Sequence, residues 1–424
     1  MSSSIERAQH LRERHRHEEA VALLHLHLAN EPDDAQAYVE LAFNHLEMPG
    51  QRALANDYIL KALGILPDLG HIHALHARIL SQLDRPKEAL AAADRAIALD
   101  PENEFCWVSK GEALLGMSEW KDAEKALTHA LELDPDDETA SNLLAIALRK
   151  QNRLDESNDE TSRRLARDPE NPISLANAGW SALQSGKIEQ AENFFRDSLR
   201  IDPECEYARD GLKESFRARS GFYRLFLRWV FFMQRFNEKN QIFIMIGIVI
   251  GFRFVRNAVQ AINPALLPPL FVLFYLFIFG TWLSSGIANL MILRDRSARL
   301  SLDRSEKLDG MVVGGGFMIG LILGLIGLAI GQEVLMLTGA MFMLAAIPSS
   351  MCFVDASLKA RIVFGGAAIL IYLTGTIGIM GYTNITDATL VKHGAGAIIG
   401  PILITFVSTW VAMIPSMKKP DPAH

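Results

Sequence analysis

Cysteine is scarce: Cys106, Cys205 and Cys352 are scattered, with no CxxC pair, which argues against a disulfide framework and against a cysteine-bound zinc, and fits reducing surroundings. No positively charged segment followed by a short apolar run lies between Met1 and Asn30, so we expect no secretory leader, with this half staying in the compartment where it is made. No phosphate-binding glycine loop, paired carboxylates or metal motif is found, and we expect no cofactor and no enzyme. Basic residues are also short in the first half. Met1 to Ser215 holds 40 acidic against 24 basic residues, net −16, whereas Phe216 to His424 holds 9 against 18, net +9. The acidic half argues against a nucleic acid and for a basic or apolar partner.

What the first half does have is a period. Pro32, Pro67, Pro101, Pro135, Pro169 and Pro203 stand 35, 34, 34, 34 and 34 residues apart, four of them inside LDPEN, LDPDD, RDPEN and IDPEC. Small residues recur with them: Gly111, Ala123 and Ala130 beside Trp107; Gly179 and Ala191 beside Phe195; Ala89 with Ala96; Ala55 with Ala62. A 34-residue period with small residues at fixed offsets and a terminal proline resembles the tetratricopeptide repeat, a helix–turn–helix unit. Gly111 opposite Ala123 is expected to let two helix axes approach, with Trp107 filling the space beside them. Each proline ends a second helix, and acidic residues after it, such as Glu102, Asp136, Asp137 and Glu170, suit the next amino terminus. Six units follow, running 3–30, 34–66, 68–100, 102–134, 136–168 and 170–202, with 204–215 as a cap. The fifth carries Ser157, Thr161 and Arg164 at small or apolar positions and is expected to be looser.

Stacked units of this kind present a concave groove lined by their first helices. Its candidate partner-binding residues are Phe43, His71, Arg78, Phe105, Glu112, Asn142 and Trp180, a mixture suited to an extended peptide or a helix. A carboxylate clamp of lysines and asparagines is not supplied. His15, His17, His25, His27, His71, His73 and His76 have no second cluster of ligands at a recognisable spacing, so the expectation is no metal.

The second half is of another kind. Arg217, Arg224, Arg228 and Arg235 follow steps of 7, 4 and 7, a narrow stripe at about 100° per residue. Phe222, Leu225, Phe226, Trp229, Met233 and Phe236 lie opposite. Residues 216–239 thus read as a helix in the membrane interface, with Arg217, Arg224, Arg228 and Arg235 among phosphates and Trp229 among acyl chains; packing on the last repeat is the alternative. Apolar stretches long enough to cross about 30 Å of hydrocarbon run near 241–261, 267–293, 310–330, 334–353, 362–382 and 395–414, six spans in a bundle over 240–417 with a tail at 418–424. Arg253 and Arg256 must reach headgroups or face the bundle. Basic residues in alternate connections place both termini and the repeats in the cytoplasm, with the spans in the inner (cell) membrane. Gly316, Gly320 and Gly324, four apart, mark a packing seam, with an internal span such as 362–382 favoured over a second copy of the chain as its partner.

The segments RWVFFMQRFNEKNQ, GFRFVRN, NPALLPPLFVLFYLFIFGTWLSSGIANLMI and LRDRSARLSL, over about 221–302, resemble the membrane region of a group of bacterial tetratricopeptide multi-pass membrane proteins without an assigned activity. The expectation is an all-α chain, a repeat solenoid (1–215) followed by an interfacial helix and a bundle, acting as a membrane-anchored adaptor that binds a protein partner. The alternative is a transporter or channel with regulatory repeats, against which stands the lack of ionisable residues in the middles of spans three to six. Six spans with TWLSSG and KHGAG invite comparison with rhomboid serine proteases, but His393 lies in a connection and the glycine pattern around Ser284 and Ser285 does not match.

Overall fold

The computed structural model describes residues 3–294, 299, 302–353, 357–383, 400–405 and 407–408. No strand occurs among the described residues. Thirteen helices open the chain: α1 (Ser3–Glu13), α2 (His17–Asn30), α3 (Ala35–Glu47), α4 (Arg52–Ile65), α5 (Gly70–Gln82), α6 (Pro86–Leu99), α7 (Glu104–Gly116), α8 (Trp120–Leu133), α9 (Glu138–Lys150), α10 (Leu154–Arg167), α11 (Pro172–Gln184), α12 (Ile188–Ile201) and α13 (Glu206–Ala218). Seven more follow: α14 (Gly221–Met233), α15 (Glu238–Ile262), α16 (Leu267–Arg294), α17 (Arg304–Asp309), α18 (Gly315–Ile330), α19 (Glu333–Ser350) and α20 (Leu358–Thr383). The chain forms two compact units, one of residues 1–208 with 231–242, the other of 209–230 with the described residues from 243 onwards.

In the first unit α1 to α12 form six hairpins. The residue before the repeat proline turns extended at Asp134, Asp168 and Asp202, which stops the second helix. The next helix is then capped by the second residue after the proline: the side chains of Asp34, Asn103, Asp137 and Asn171 accept backbone N–H groups of the first turn. Asp137, one of the acidic residues expected to suit the amino terminus by charge, is thus also a cap. Within each hairpin the turn carries one left-handed residue, His15, Gly50, Asp84, Ser118, Asn152 or Gly186. Ser118, at φ 59°, bears a side chain where glycine meets no steric cost. Ser118→Gly is expected to stabilise the stack by about 1 kcal/mol in urea unfolding.

Gly111 makes room for a different neighbour from the one expected. A Cβ there would stand 2.5 Å from Leu127 Cγ and Cδ2, and one at Gly179 would stand 2.6 to 2.8 Å from the ring of Phe195. The glycines thus admit large buried side chains of the second helix. In the fifth hairpin, buried Ser157 and Thr161 take the place of apolar residues without leaving polar atoms unmatched. Ser157 Oγ donates to Ala145 O and Thr161 Oγ1 to Ser157 O, both at 2.8 Å, while Ser141 Oγ donates to Glu160 Oε1 at 2.7 Å. Hydrogen bonds replace methyl packing at these positions, while Arg164 pairs with Glu138 at 2.9 Å and its Nε has no hydrogen-bond partner.

In the second unit, four described helices are long and apolar enough to cross a membrane, within 240–262, 304–330, 333–350 and 358–380, where the sequence suggested six. The second expected span falls on α16, many of whose side chains between 268 and 282 lie outside the described residues, and the sixth, 395–414, lies largely outside them. Of the two arginines late in the first span, Arg253 is exposed and Arg256 donates to Asn257 Oδ1 at 2.9 Å. The expected glycine seam is real in part. A Cβ on Gly320 would lie 2.7 Å from Gly339 O, and one on Gly327 would lie 2.7 Å from Met336 N, so the partner is α19 rather than α20. Gly316 and Gly324 face nothing within 4 Å in this sense. A second close approach joins α16 to a π-helical turn at Gly310–Gly314, where a Cβ on Gly314 would collide with the carbonyl of Gly286. The TWLSSG sequence therefore ends in a packing glycine.

Candidate partner-binding groove

The first helices α3, α5 and α7 carry Phe43, His71, Arg78, Phe105 and Glu112, all half-buried. Phe43 and Phe105 rest on one buried cluster that includes Val39, Ile72, Leu75 and Ile79, and the Arg12 guanidinium covers the Phe43 ring at 4.9 Å. Arg78 Nε faces Glu112 Oε2 at 3.9 Å, beyond hydrogen-bond reach, and that Nε has no hydrogen-bond partner. Burial pushes the Glu112 carboxyl above its ordinary value, opposed by the Arg78 charge. The pair is thus partly buried but not closed upon itself.

Asn142 and Trp180 sit in a different setting. Asn142 is buried, and its Oδ1 accepts from Ser174 Oγ at 2.8 Å and from Asn177 Nδ2 at 3.3 Å. Trp180 donates its Nε1 to Tyr207 O at 3.2 Å, meets the Phe195 ring edge-on at 5.6 Å, and lies 5.6 Å under the Arg149 guanidinium. Arg149, only 3% exposed, donates to the Tyr207 hydroxyl at 2.9 Å, which in turn donates to Asn177 Oδ1 at 3.1 Å. Tyr207 therefore closes the far end of the groove from within the chain. Sequence reasoning missed it, although Tyr207 stands 34 residues beyond Ile173, at the offset that also holds His71 and Phe105.

Five residues were expected at the membrane interface. Arg217 lies instead in a buried polar cluster of the second unit, donating to Asn289 Oδ1 from Nε at 3.2 Å and from Nη2 at 2.8 Å, and pairing with Glu214 and, at 3.4 Å, with Glu306. Asn289 Nδ2 passes the chain on to Asp309 Oδ2 at 3.0 Å, both residues being 2% exposed. Tyr223 donates to Glu214 Oε2 at 2.7 Å; burial and then the Glu214 charge hold its phenol above the ordinary value. Arg224 and Arg228 are exposed and Trp229 is half-buried. The buried face of α14 is Tyr223, Leu227 and Phe231, and Leu225 is 70% exposed.

Arg235 donates to Asn152 Oδ1 at 2.7 Å, inside the first unit. Beside it Lys150 Nζ donates to Gln234 Oε1 at 2.8 Å and lies 5.8 Å over the Trp120 ring. Burial, helped by the charge of Arg149, pushes the Lys150 ammonium down to about 7. Because the folded value is depressed, the unfolded chain binds the extra proton between about pH 7 and 10.5. Stability should therefore rise with pH across that window, and Lys150→Met should flatten the rise. Urea midpoints at pH 7 and pH 9.5 check this.

Two side-chain groups have metal-ligand composition, His15 with His17 and Glu47, and His27 with Glu31 and Asp34. Sequence spacing could not pair Glu47 with His15 and His17, because it comes from the next hairpin, whereas His27, Glu31 and Asp34 are close in sequence.

Sequence models of the tetratricopeptide repeat match residues 108–160 and, separately, 70–103 and 173–205. The chain carries tetratricopeptide repeats. Among solved structures it is similar to the APC/C hetero-tetramer Cut9–Hcn1 at 16% identity and TM-score 0.44, over 50% of this chain and 42% of that one. It is also similar to YrrB, described as a TPR protein with an unusual peptide-binding site, at 22% identity and TM-score 0.31, over 44% of this chain and 95% of that one. A third similar structure is PilF of Pseudomonas aeruginosa, at 19% identity and TM-score 0.40, over 51% of this chain and 96% of that one.

Proposed function

We propose that the chain is a membrane-anchored adaptor: the repeats capture a protein partner in the cytoplasm, and the apolar helices hold it at the inner membrane or within a larger membrane complex. The observation that carries this reading is the contrast along the groove. At α3, α5 and α7 the Arg78–Glu112 pair stays open at 3.9 Å with Arg78 Nε unpartnered, whereas at the far end Trp180, half-buried like Phe43 and Phe105, has its Nε1 bonded to Tyr207 O and its ring beside Phe195, Tyr207 and Arg149. A bound segment would supply apolar side chains for Phe43 and Phe105 and hydrogen-bonding groups for Arg78 and Glu112. The acidic surplus of this half favours a basic or apolar segment over an acidic one. The repeats and the four apolar helices support the two halves of the reading.

The test is gentle extraction from native membranes followed by identification of co-purifying proteins. A stoichiometric partner retained by the parent and lost in Phe105→Ala and Arg78→Ala supports the adaptor. The orientation is tested by labelling with an impermeant thiol reagent. Cys106 and Cys205 are buried and burial pushes the Cys106 thiol up to about 11, so a reporter cysteine is needed at exposed Lys125. Labelling at that position only after permeabilisation places the repeats inside.

Transport is the second reading, favoured by one feature, the buried Asp309 at the start of an apolar helix, joined through Asn289 to Arg217. Solute or proton flux in liposomes that Asp309→Asn abolishes, without a protein partner, would select it.

A further inference from the structure

The turn between α1 and α2 and the last residue of α3 converge. His15 occupies the left-handed position of that turn, His17 opens α2 and Glu47 closes α3. One ligand atom from each lies within 4.8 Å of the other two, and the two imidazole rings stand edge-on with centroids 5.9 Å apart.

Hydrogen bonds behind the site fix what it offers. Asn44, fully buried, donates Nδ2 to Glu40 O at 2.8 Å, so its Oδ1 is the atom 3.3 Å from His17 Nδ1. Turning the amide over would set its oxygen against the Glu40 carbonyl. His17 Nδ1 is therefore the donor, and in the neutral ring Nε2 is a bare lone pair. That lone pair faces Glu47 Oε2 at 3.8 Å, two acceptors across a gap too long for a hydrogen bond. The other oxygen of Glu47 accepts from Arg12 Nη1 at 3.2 Å, and the Arg12 charge is shared with buried Glu40 at 3.5 Å. Nearby Arg16 is taken by Glu19 at 2.6 Å. The second cluster lacks this gap: His27 Nε2 is 2.8 Å from Asp34 Oδ2, a proton's distance, while Asp34 Oδ1 caps α3.

We propose that His15, His17 and Glu47 bind a divalent transition-metal ion of the zinc class, with a fourth position open to solvent. Two neutral imidazoles and one carboxylate suit zinc, whereas magnesium and calcium prefer all-oxygen sets. Ligands at about 2.0 to 2.1 Å from a tetrahedral ion stand about 3.4 Å apart, so the His17–Glu47 gap must close by a few tenths of an ångström and His15, within 4.8 Å of both, by up to about 1.4 Å. Side chains on a turn and a helix end can make that adjustment. The ligands come from two successive hairpins, so the ion would fasten the first hairpin of the stack to the second.

The test uses the full-length protein in detergent, freed of metal by a chelator and titrated with Zn²⁺. One equivalent should bind and the melting temperature should rise. His17→Ala and Glu47→Gln should each weaken binding about tenfold or more and remove the rise, and His27→Ala should leave both. Absence of stoichiometric binding overturns the proposal, as does a rise that survives both His17→Ala and Glu47→Gln. So does a ¹⁵N spectrum of the metal-free protein with His17 doubly protonated at pH 7.5, since an imidazolium would then fill the gap. A variant that loses helicity by circular dichroism is replaced by the conservative Glu47→Gln, whose side chain keeps the shape of the glutamate.

Discussion

Arg217→Ala is expected to cost the second unit about 3–5 kcal/mol, the scale for removing one partner from a buried charge network. The Arg217 side chain is 12% exposed and satisfies Asn289, Glu214 and Glu306 at once. Its removal takes the nearest positive charge from Glu214, which keeps only the Tyr223 hydroxyl, leaves Glu306 to Lys213, and leaves Asn289, which positions Asp309, with an empty acceptor. Arg217→Lys should recover only part, because a single ammonium cannot reproduce two donors in one plane on Asn289 Oδ1. Adding Glu214→Gln to Arg217→Ala should reduce the loss, and with the Glu214→Gln single variant measured as well, the departure of the double variant from the sum of the two singles is the coupling between the residues. Unfolding midpoints in detergent measure all of these. A residue that worked by holding lipid phosphate would behave otherwise, with little loss in neutral detergent and a loss that appears only with anionic lipid.

The second large effect belongs to the glycines of the bundle. A methyl group at Gly314 would collide with Gly286 O and stand 2.8 Å from Gly286 C and from Leu290 Cβ. Two of these atoms are backbone and cannot step aside, so α16 must move away from the π-helical turn. Gly314→Ala is expected to destabilise by about 1–3 kcal/mol or more. Gly316→Ala, two residues on, meets nothing within 4 Å and should be neutral or stabilising by up to about 1 kcal/mol through helix propensity. Thermal unfolding of the two variants side by side checks the contrast, and equal losses would contradict the packing described.

Part of the architecture was legible because it is local and repeated. Proline and the cap two residues after it define the start of four of the hairpins, and the small-residue offsets recur with them. The groove offset that gives Phe43, Arg78, Glu112 and Trp180 is set by the same register. The fate of Trp180 was not legible, since it depends on Tyr207, a residue from outside the six hairpins. The arginine stripe failed for a geometric reason. Its 7, 4 and 7 steps assume one continuous helix, but α13 ends at Ala218 and α14 begins at Gly221, so Arg217 belongs to another helix and Arg235 lies past the end of α14. The seam on α18 was half legible. Spacing of four marks a run of glycines, but which of them touches is decided by Gly339 on the partner helix, whose Cβ would reach Gly320 O at 2.5 Å and Gly324 N at 2.6 Å. The carboxylate beside His17 was hidden likewise, arriving from a helix 30 residues later.

The central claim is that the stretch of the groove on α3, α5 and α7, with its open Arg78–Glu112 pair, receives a protein segment while the far end, where Tyr207 engages Trp180, does not. Site-specific photocross-linking in native membranes tests it most directly, with the reactive side chain placed at Phe43, Phe105 or Trp180 in turn. The account predicts one discrete adduct of the same mass from positions 43 and 105 and none from 180. Adducts from position 180 alone, or none from any of the three in membranes where the protein is abundant, would contradict it.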